Sequence, residues 1–289
     1  GMIILRSVRW RLEMRRNIIS IVQGGPAPEE QLPVLKRTGW DGVFFPWTGQ
    51  GTDHILASKI QAEGLVLQSV HAPFDRADKL WKSDEEGKAE VARQIRCIRD
   101  TALWGCGLVV MHAVIGMERI APTDRELDCG FENFLKIFDA AASAGMIVAM
   151  ENIEGEQYLD ALMQHFRGHP ALRFCIDTGH EICYNHCHDL IGKYADCLVC
   201  THLNDNLGMS GEKITWLDDL HLLPFDGVAD WENIIARLNA AGYRGDVTLE
   251  VMLEGREGRH EHDGYRAMPF AEYAALALER AKRIGEMLR

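Results

Sequence analysis

The sequence predicts a single-domain (β/α)8 barrel, an α/β fold in which eight parallel strands alternate with helices. Three observations lead to this prediction. Short apolar runs alternate with longer amphipathic segments, several of those segments stop at a glycine, and charged or imidazole side chains stand where apolar runs end. A chain of 289 residues with 47% hydrophobic residues is long enough to bury one large core of this kind.

Eight apolar runs are predicted to be buried strands. Their bounds are Ile18–Val22, Gly42–Pro46, Val66–Val70, Leu108–His112, Ile147–Glu151, Arg173–Asp177, Leu198–His202 and Val247–Val251. Parallel strands need long crossover connections, and the segments between these runs are long enough to supply them as helices. Eight such units in one chain are typical of a closed barrel.

Five amphipathic segments are predicted to be helices that stop at a glycine. Glycine adopts the left-handed conformation at low cost, so it commonly ends a helix. The five segments are Pro28–Thr38, Asp53–Glu63, Asp84–Trp104, Asp124–Ala144 and Trp231–Ala241.

An open, doubly wound sheet is the alternative architecture. No G-x-G-x-x-G motif follows the first strand, and polar residues stand at the ends of many strands rather than beside one crevice. The barrel is therefore favoured, and it is predicted to span residues 17–289. Residues 1–16 contain five arginines and one acid, and we expect an N-terminal extension there, outside the barrel.

Four strand-end residues predict a metal site. They are three carboxylates and one imidazole on separate strands: Glu151, Asp177, His202 and Glu250. The carboxyl ends of barrel strands meet at one mouth, so these side chains are expected to converge. A buried charge is costly without a partner, and no lysine or arginine stands beside them in the predicted strands. Mixed oxygen and nitrogen ligands suit one divalent ion, namely Mn, Mg, Zn or Co.

Five further residues near the strand ends are candidates for binding substrate or additional metal: His71, His112, His180, Asp219 and His221. For the first two, the competing interpretation is a hydrogen-bonded core histidine. Asp219 and His221 form a D-x-H pair in the long connection after the seventh strand, where a solvated loop is the competing interpretation.

The strand-end motifs resemble those of the xylose isomerase-like TIM barrels, which include sugar isomerases, sugar epimerases and the endonuclease IV group. The most specific pieces are VHAPF (70–74), MEN (150–152), CIDTGH (175–180), HLND (202–205), DLHLLPFDG (219–227) and LEV (249–251). The resemblance implies that the four-residue set binds one divalent metal and that Glu151 and Glu250 also act as the acid–base pair. The implied activity is isomerisation or epimerisation of a sugar or sugar derivative by proton transfer next to a carbonyl.

The resemblance to endonuclease IV implies an alternative, a zinc phosphodiesterase acting on abasic DNA. Three zinc ions would then be held by His71, His112 and Glu151, by the four-residue set, and by His180, Asp219 and His221. Ketose 3-epimerases carry an arginine six residues after the histidine that matches His202. This sequence has Gly208 there, so the specificity of that subgroup is not implied.

The net charge of −12 argues against a general nucleic-acid binder, so the expected partner is a small-molecule sugar, and nucleic acid only under the alternative. Arg256 and Arg259 follow the eighth strand and are candidates for binding an anionic group, since barrel loops after strands seven and eight often bind phosphate. No apolar stretch approaches the length of a membrane span. Eight cysteines without a secretion signal favour reduced thiols and a cytoplasmic location. The sequence leaves oligomerisation open.

Overall fold

Eight parallel strands form the centre of the protein. The computed structural model describes residues 15–289, and residues 1–14 of the predicted N-terminal extension lie outside them. The strands are β1 (Asn17–Ser20), β2 (Gly42–Pro46), β3 (Val66–His71), β4 (Leu108–His112), β5 (Ile147–Glu151), β6 (Leu172–Asp177), β7 (Leu198–His202) and β8 (Val247–Leu249).

The strands pair in chain order, and β1 also pairs with β8. Between β7 and β8 the barrel closes through a parallel bridge of Leu203 with Leu249, where the Leu203 amide donates to the Thr248 carbonyl at 2.8 Å. The prediction of a (β/α)8 barrel is confirmed. All strand ends that carry polar residues therefore face one mouth.

Helices surround the barrel and follow its strands. In the described part of the chain they are α1 (Pro28–Thr38), α2 (Asp53–Ala62), α3 (Glu85–Leu103), α4 (Asp124–Ser143), α5 (Glu156–His165), α6 (Thr178–Cys183), α7 (Leu190–Lys193), α8 (Trp231–Ala240), α9 (Asp263–Arg266) and α10 (Phe270–Met287). Two short 3-10 helices, Ala77–Trp81 and Trp216–Asp218, lie in the connections after β3 and β7. No helix in this part is long and apolar enough to cross a membrane.

Local sequence explains where these helices begin and end. Thr123 and Glu126 form a capping box that satisfies free amides at the start of α4. Gly39 ends α1 with a φ of 109°, a left-handed conformation in which most residues would be strained. The predicted helix bounds agree with the observed ones within one residue at each end.

The core divides between the barrel interior and the layer between strands and helices. The large layer contains most of the buried aromatic residues, including Trp40, Trp81 and Phe138. The interior below the mouth contains small side chains, with Val110, Ala149, Cys175 and Cys200 in contact. This packing supports the strand ends from below and keeps water away from their inner side.

Candidate metal centre

The nine predicted metal or substrate residues converge at the carboxyl-terminal mouth of the barrel. Five end their strands: His71 on β3, His112 on β4, Glu151 on β5, Asp177 on β6 and His202 on β7. The other four lie in the connections: His180 in α6, Asp219 and His221 after β7, and Glu250 directly after β8. Strand register places His112 beside Glu151 and Asp177 beside His202.

Glu151 is the buried centre of this arrangement. Its Oε2 lies 3.0 Å from Nε2 of His71 and 2.9 Å from Nε2 of His112, and its Oε1 lies 2.7 Å from Nδ1 of His202. Burial alone would raise the pKa of Glu151, but the charge of His202 and the hydrogen bonds from the three imidazoles hold that pKa well below its usual range. Both carboxylate oxygens are thus engaged by imidazoles from three strands.

His202 links Glu151 to Glu250. The same Nδ1 atom lies 3.0 Å from Oε2 of Glu250, and the ring stacks on Phe44 with 4.6 Å between centroids. Burial would lower the pKa of His202, but the charges of Glu151 and Glu250 raise it well above its usual value. Without a metal, the two carboxylates therefore favour the protonated form of this imidazole.

Asp177 is held rigidly at the end of β6. Its Oδ1 accepts the backbone N–H of His180 at 2.7 Å, which caps α6, and its Oδ2 accepts the side-chain amide of Asn204 at 2.7 Å. Asn152 brackets the backbone of Asp177, donating to its carbonyl at 2.9 Å and accepting its amide at 2.7 Å. Burial raises the pKa of Asp177 to about 7, although the charges of His180 and His221 oppose the rise. A cation at this site would favour its ionised form.

Asp219 lies between two imidazoles. Its Oδ2 is 3.4 Å from Nε2 of His180, and its Oδ1 is 3.1 Å from Nε2 of His221. The Nδ1 atoms face backbone carbonyls, of Asn152 at 2.7 Å for His180 and of Glu250 at 3.0 Å for His221. With the proton on Nδ1, each ring donates to the carbonyl and presents the lone pair of Nε2 to the cluster, which is how metal-binding histidines are commonly oriented.

Asp205 folds the β7–α8 connection over the mouth and so positions Asp219 and His221. Four donors converge on its buried carboxylate, three backbone amides and the Trp231 indole, at 2.9–3.1 Å. Asp219 and His221 are consequently buried. Their competing interpretation as part of a solvated loop is wrong.

The donor atoms fit divalent cations. In three groups they lie within 4.8 Å of one another: His71, His112 and Glu151; Glu151, Asp177, His202 and Glu250; His180, Asp219 and His221. Ligands that share one ion at about 2.0–2.2 Å need spacing of this order. The Nε2 atom of His202, a member of the four-residue set, is buried without a hydrogen-bond partner, as expected for an atom that could bind a cation. A fourth group, Cys175, Cys200 and His202, extends from the four-residue cluster into the barrel interior.

A cavity of about 880 Å³ opens above the cluster. Six of the nine residues line it: His71, His112, His180, Asp219, His221 and Glu250. Arg256 also lines it, but its Nε donates to the Asp219 carbonyl at 2.7 Å. Arg259 is not in the cavity wall and pairs with Asp218 at 3.0 Å and with Glu261 at 2.9 Å. The two predicted anion-binding arginines are therefore both engaged by the protein itself.

Two cavity residues were not found by sequence reasoning. Glu154 is 2% exposed, and its Oε1 accepts the backbone N–H of Gly116 at 2.8 Å. Burial raises the pKa of Glu154, which suits a carboxyl group that donates a proton. Tyr184 follows α6 and packs on His180 with 5.2 Å between ring centroids. The only sequence signal for Glu154 is its place in MENIEG, three residues after Glu151.

Comparisons with known proteins agree with this architecture. A family described as "Xylose isomerase-like TIM barrel" matches residues 32–269. The uncharacterised protein y4fM of Sinorhizobium fredii is 27% identical over an alignment of 261 residues, and the match covers 77% of this chain and 80% of that protein.

Solved structures share the fold at low identity. The 3-keto-D-glucoside 4-epimerase YcjR of E. coli is 16% identical, with a TM-score of 0.68 over 93% of this chain and 99% of its own. The D-psicose 3-epimerase of Clostridium cellulolyticum H10 is 14% identical, with the same TM-score and coverage. A xylose isomerase domain protein of Planctomyces limnophilus is 17% identical, with a TM-score of 0.71 over 95% and 98%.

Proposed function

The chain belongs to the xylose isomerase-like TIM barrel family, and from that premise we propose that it is a divalent-metal-dependent isomerase or epimerase acting on a sugar or sugar derivative. The observation that carries the proposal is the convergence of Glu151, Asp177, His202 and Glu250 beneath the cavity at the barrel mouth. Structural neighbours that are sugar epimerases support the same reaction class.

The four-residue set would supply both a metal that polarises the substrate and a carboxylate that transfers the proton. A divalent metal held by the four residues would polarise a carbonyl and the neighbouring hydroxyl of the substrate. Glu250 lines the cavity with 21% of its side chain exposed, so it can reach a proton next to that carbonyl. Glu151, the other member of the proposed acid–base pair, is fully buried among histidines and does not line the cavity.

Other cavity residues complete the proposed chemistry. His180 and His221 line the cavity with their Nε2 atoms beside Asp219, where they can orient substrate oxygens or hold further metal. Glu154 carries a carboxyl group with a raised pKa in the same wall, so it can return a proton to the substrate.

A second candidate function is hydrolysis of a phosphodiester at an abasic site in DNA. The specific observation in its favour is that all three ligand groups are assembled and that Glu151 belongs to two of them. Such a cluster could hold three zinc ions, activate water and stabilise a leaving oxygen. Recognition of DNA also needs contacts to several phosphates, and Arg256 is the only lysine or arginine in the described cavity wall.

Metal analysis followed by two activity assays tests the proposal. The purified protein is analysed for metal content, then incubated with keto sugars in deuterated water, and α-proton exchange is followed by NMR. We expect one metal per chain and exchange that stops after chelation. Three zinc ions per chain and cleavage of an abasic oligonucleotide, without exchange from keto sugars, would establish the second candidate instead.

A further inference from the structure

The cavity above the metal centre is large relative to a single sugar ring. Pockets of roughly 300–1,000 Å³ accommodate drug-sized ligands, and this one measures about 880 Å³. The metal-ligating side chains occupy only one part of its wall. A substrate that fills the cavity therefore has a second portion beyond the sugar that reaches the cluster.

Much of the remaining wall is apolar. It includes Ile21, Val22, Leu56, Ile115, Met117 and Ile153, which come from the connections after β1, β2, β4 and β5. Aliphatic side chains offer no hydrogen bonds to sugar hydroxyls, and burying hydroxyls against them would be unfavourable. An apolar group would instead gain free energy from contact with this surface.

Two exposed aromatic residues stand in the same wall. Trp216 is 49% exposed and Phe74 is 42% exposed, although both are large apolar side chains. Phe74 packs against His112 with 4.8 Å between ring centroids, and the guanidinium of Arg256 lies 5.5 Å from the centre of the Trp216 ring. Phe74 therefore adjoins the metal cluster and Trp216 adjoins Arg256, and both rings leave much of their surface uncovered, as is typical of binding surfaces.

The charges in the wall disfavour an anionic substrate. Within the described residues the wall contains one arginine and no lysine, against four carboxylates: Asp53, Glu154, Asp219 and Glu250. The arginine, Arg256, already donates to Asp219. The N-terminal end of α1 also meets the cavity, and the acidic residues Glu29 and Glu30 in its first turn offset the attraction of the helix dipole for an anion.

Together these features define a substrate class. Resting on the proposed sugar activity, we propose that the substrate is an uncharged glycoside of a keto sugar whose aglycone is aromatic or otherwise apolar. The sugar lies against the metal cluster, and the aglycone covers Trp216, Phe74 and the aliphatic wall. Phosphorylated sugars are excluded by the same wall.

Calorimetry with matched glycosides tests this proposal. The probes are the methyl and phenyl glycosides of 3-keto-D-glucose and the 6-phosphate of the methyl glycoside, titrated into metal-loaded protein. We expect the phenyl glycoside to bind on the order of tenfold tighter than the methyl glycoside because the ring buries additional apolar area. We expect the 6-phosphate to bind more weakly than the methyl glycoside.

Substitutions in the cavity wall test which residues cause the preference for the phenyl glycoside over the methyl glycoside. Trp216→Ala and Phe74→Ala should each reduce the preference for phenyl over methyl, while Leu103→Ala should leave it unchanged because Leu103 is 83% exposed outside the cavity. Trp216→Phe should restore part of the preference. Equal binding of the two glycosides, a preference that survives both alanine variants, or tighter binding of the 6-phosphate would overturn the proposal.

Proton exchange separates this proposal from the proposed function. If keto sugars exchange their α-protons in deuterated water but phenyl and methyl glycosides bind equally, the sugar activity stands and the aglycone proposal fails. If the phenyl glycoside is preferred but no glycoside or keto sugar exchanges, the aglycone proposal stands and the isomerase or epimerase activity fails.

Discussion

Replacing Glu250 with glutamine tests the charge network of the four-residue cluster. Burial would raise the pKa of Glu250, but His202 at 3.0 Å outweighs both burial and the repulsion from Glu151, and the pKa falls from 4.5 to about 2. A pKa lowered to this extent corresponds to about 3 kcal/mol by which the ionised form of Glu250 favours the metal-free fold at neutral pH. Glutamine keeps the side-chain volume and removes the charge, so we expect the variant to lose up to about this free energy of unfolding.

The stability that Glu250 contributes should decrease as the pH falls. A carboxyl group whose pKa is lowered on folding contributes its stability above 4.5, and that stability is lost as the pH falls towards 2. Urea unfolding of the metal-free wild type and the metal-free Glu250→Gln variant should therefore show the full difference in unfolding free energy at pH 6 and a smaller difference at pH 3. Glu279→Gln, an exposed change on α10, is the matched control and should have little effect. Equal unfolding free energies at pH 6, or a difference that grows towards pH 3, would refute the assigned ion pairs.

Three further predictions concern metal loading and the loop over the mouth. Asn204→Ala frees Oδ2 of Asp177 from its amide partner and should lower zinc affinity about 10- to 100-fold in a competition titration; unchanged affinity would contradict that orienting role. The pKa of His221 is raised to about 9, chiefly by Asp219 against the effect of burial, so metal must displace a proton below that pH. Zinc affinity should then rise about tenfold per pH unit between pH 7 and 9 for each proton displaced, and a flat profile would exclude this competition. Asp205→Ala leaves four donors without their acceptor and should cost about 3 kcal/mol or more of unfolding free energy, with faster proteolysis within residues 203–230; wild-type resistance would show that other contacts hold the connection.

Most strands were predictable because their apolar runs stop where the chain leaves the barrel. The predicted bounds of β2, β4, β5 and β7 agree with the structure at both ends. The eighth run was predicted two residues too long, since Glu250 and Val251 continue its pattern but lie outside the ladder. There the Glu250 amide donates instead to the carbonyl of Leu203, at 3.2 Å.

Helices without a glycine stop were not predicted individually. Among them are α5, α6 and α10, whose bounds depend on packing against the barrel rather than on a local stop residue. Within the site, strand-end residues could be predicted from the sequence because barrel topology alone brings them together. The burial of Asp219 and His221 could not be predicted, because it depends on hydrogen bonds that Asp205 accepts from residues 20 and more positions away.

The candidate ligands determine which metals can bind, whereas the cavity wall determines which substrate can approach them. Only the two together favour a sugar substrate over DNA. The nine candidate ligands are compatible with one metal or with three, since Glu151 presents its two oxygens to different groups. The wall decides what can approach them. A DNA backbone would bring phosphates towards carboxylates and a single arginine that is already engaged, whereas an uncharged sugar with an apolar substituent meets no such repulsion. Small-molecule sugar chemistry is therefore favoured by the cavity wall even though the ligand set alone would also suit a phosphodiesterase.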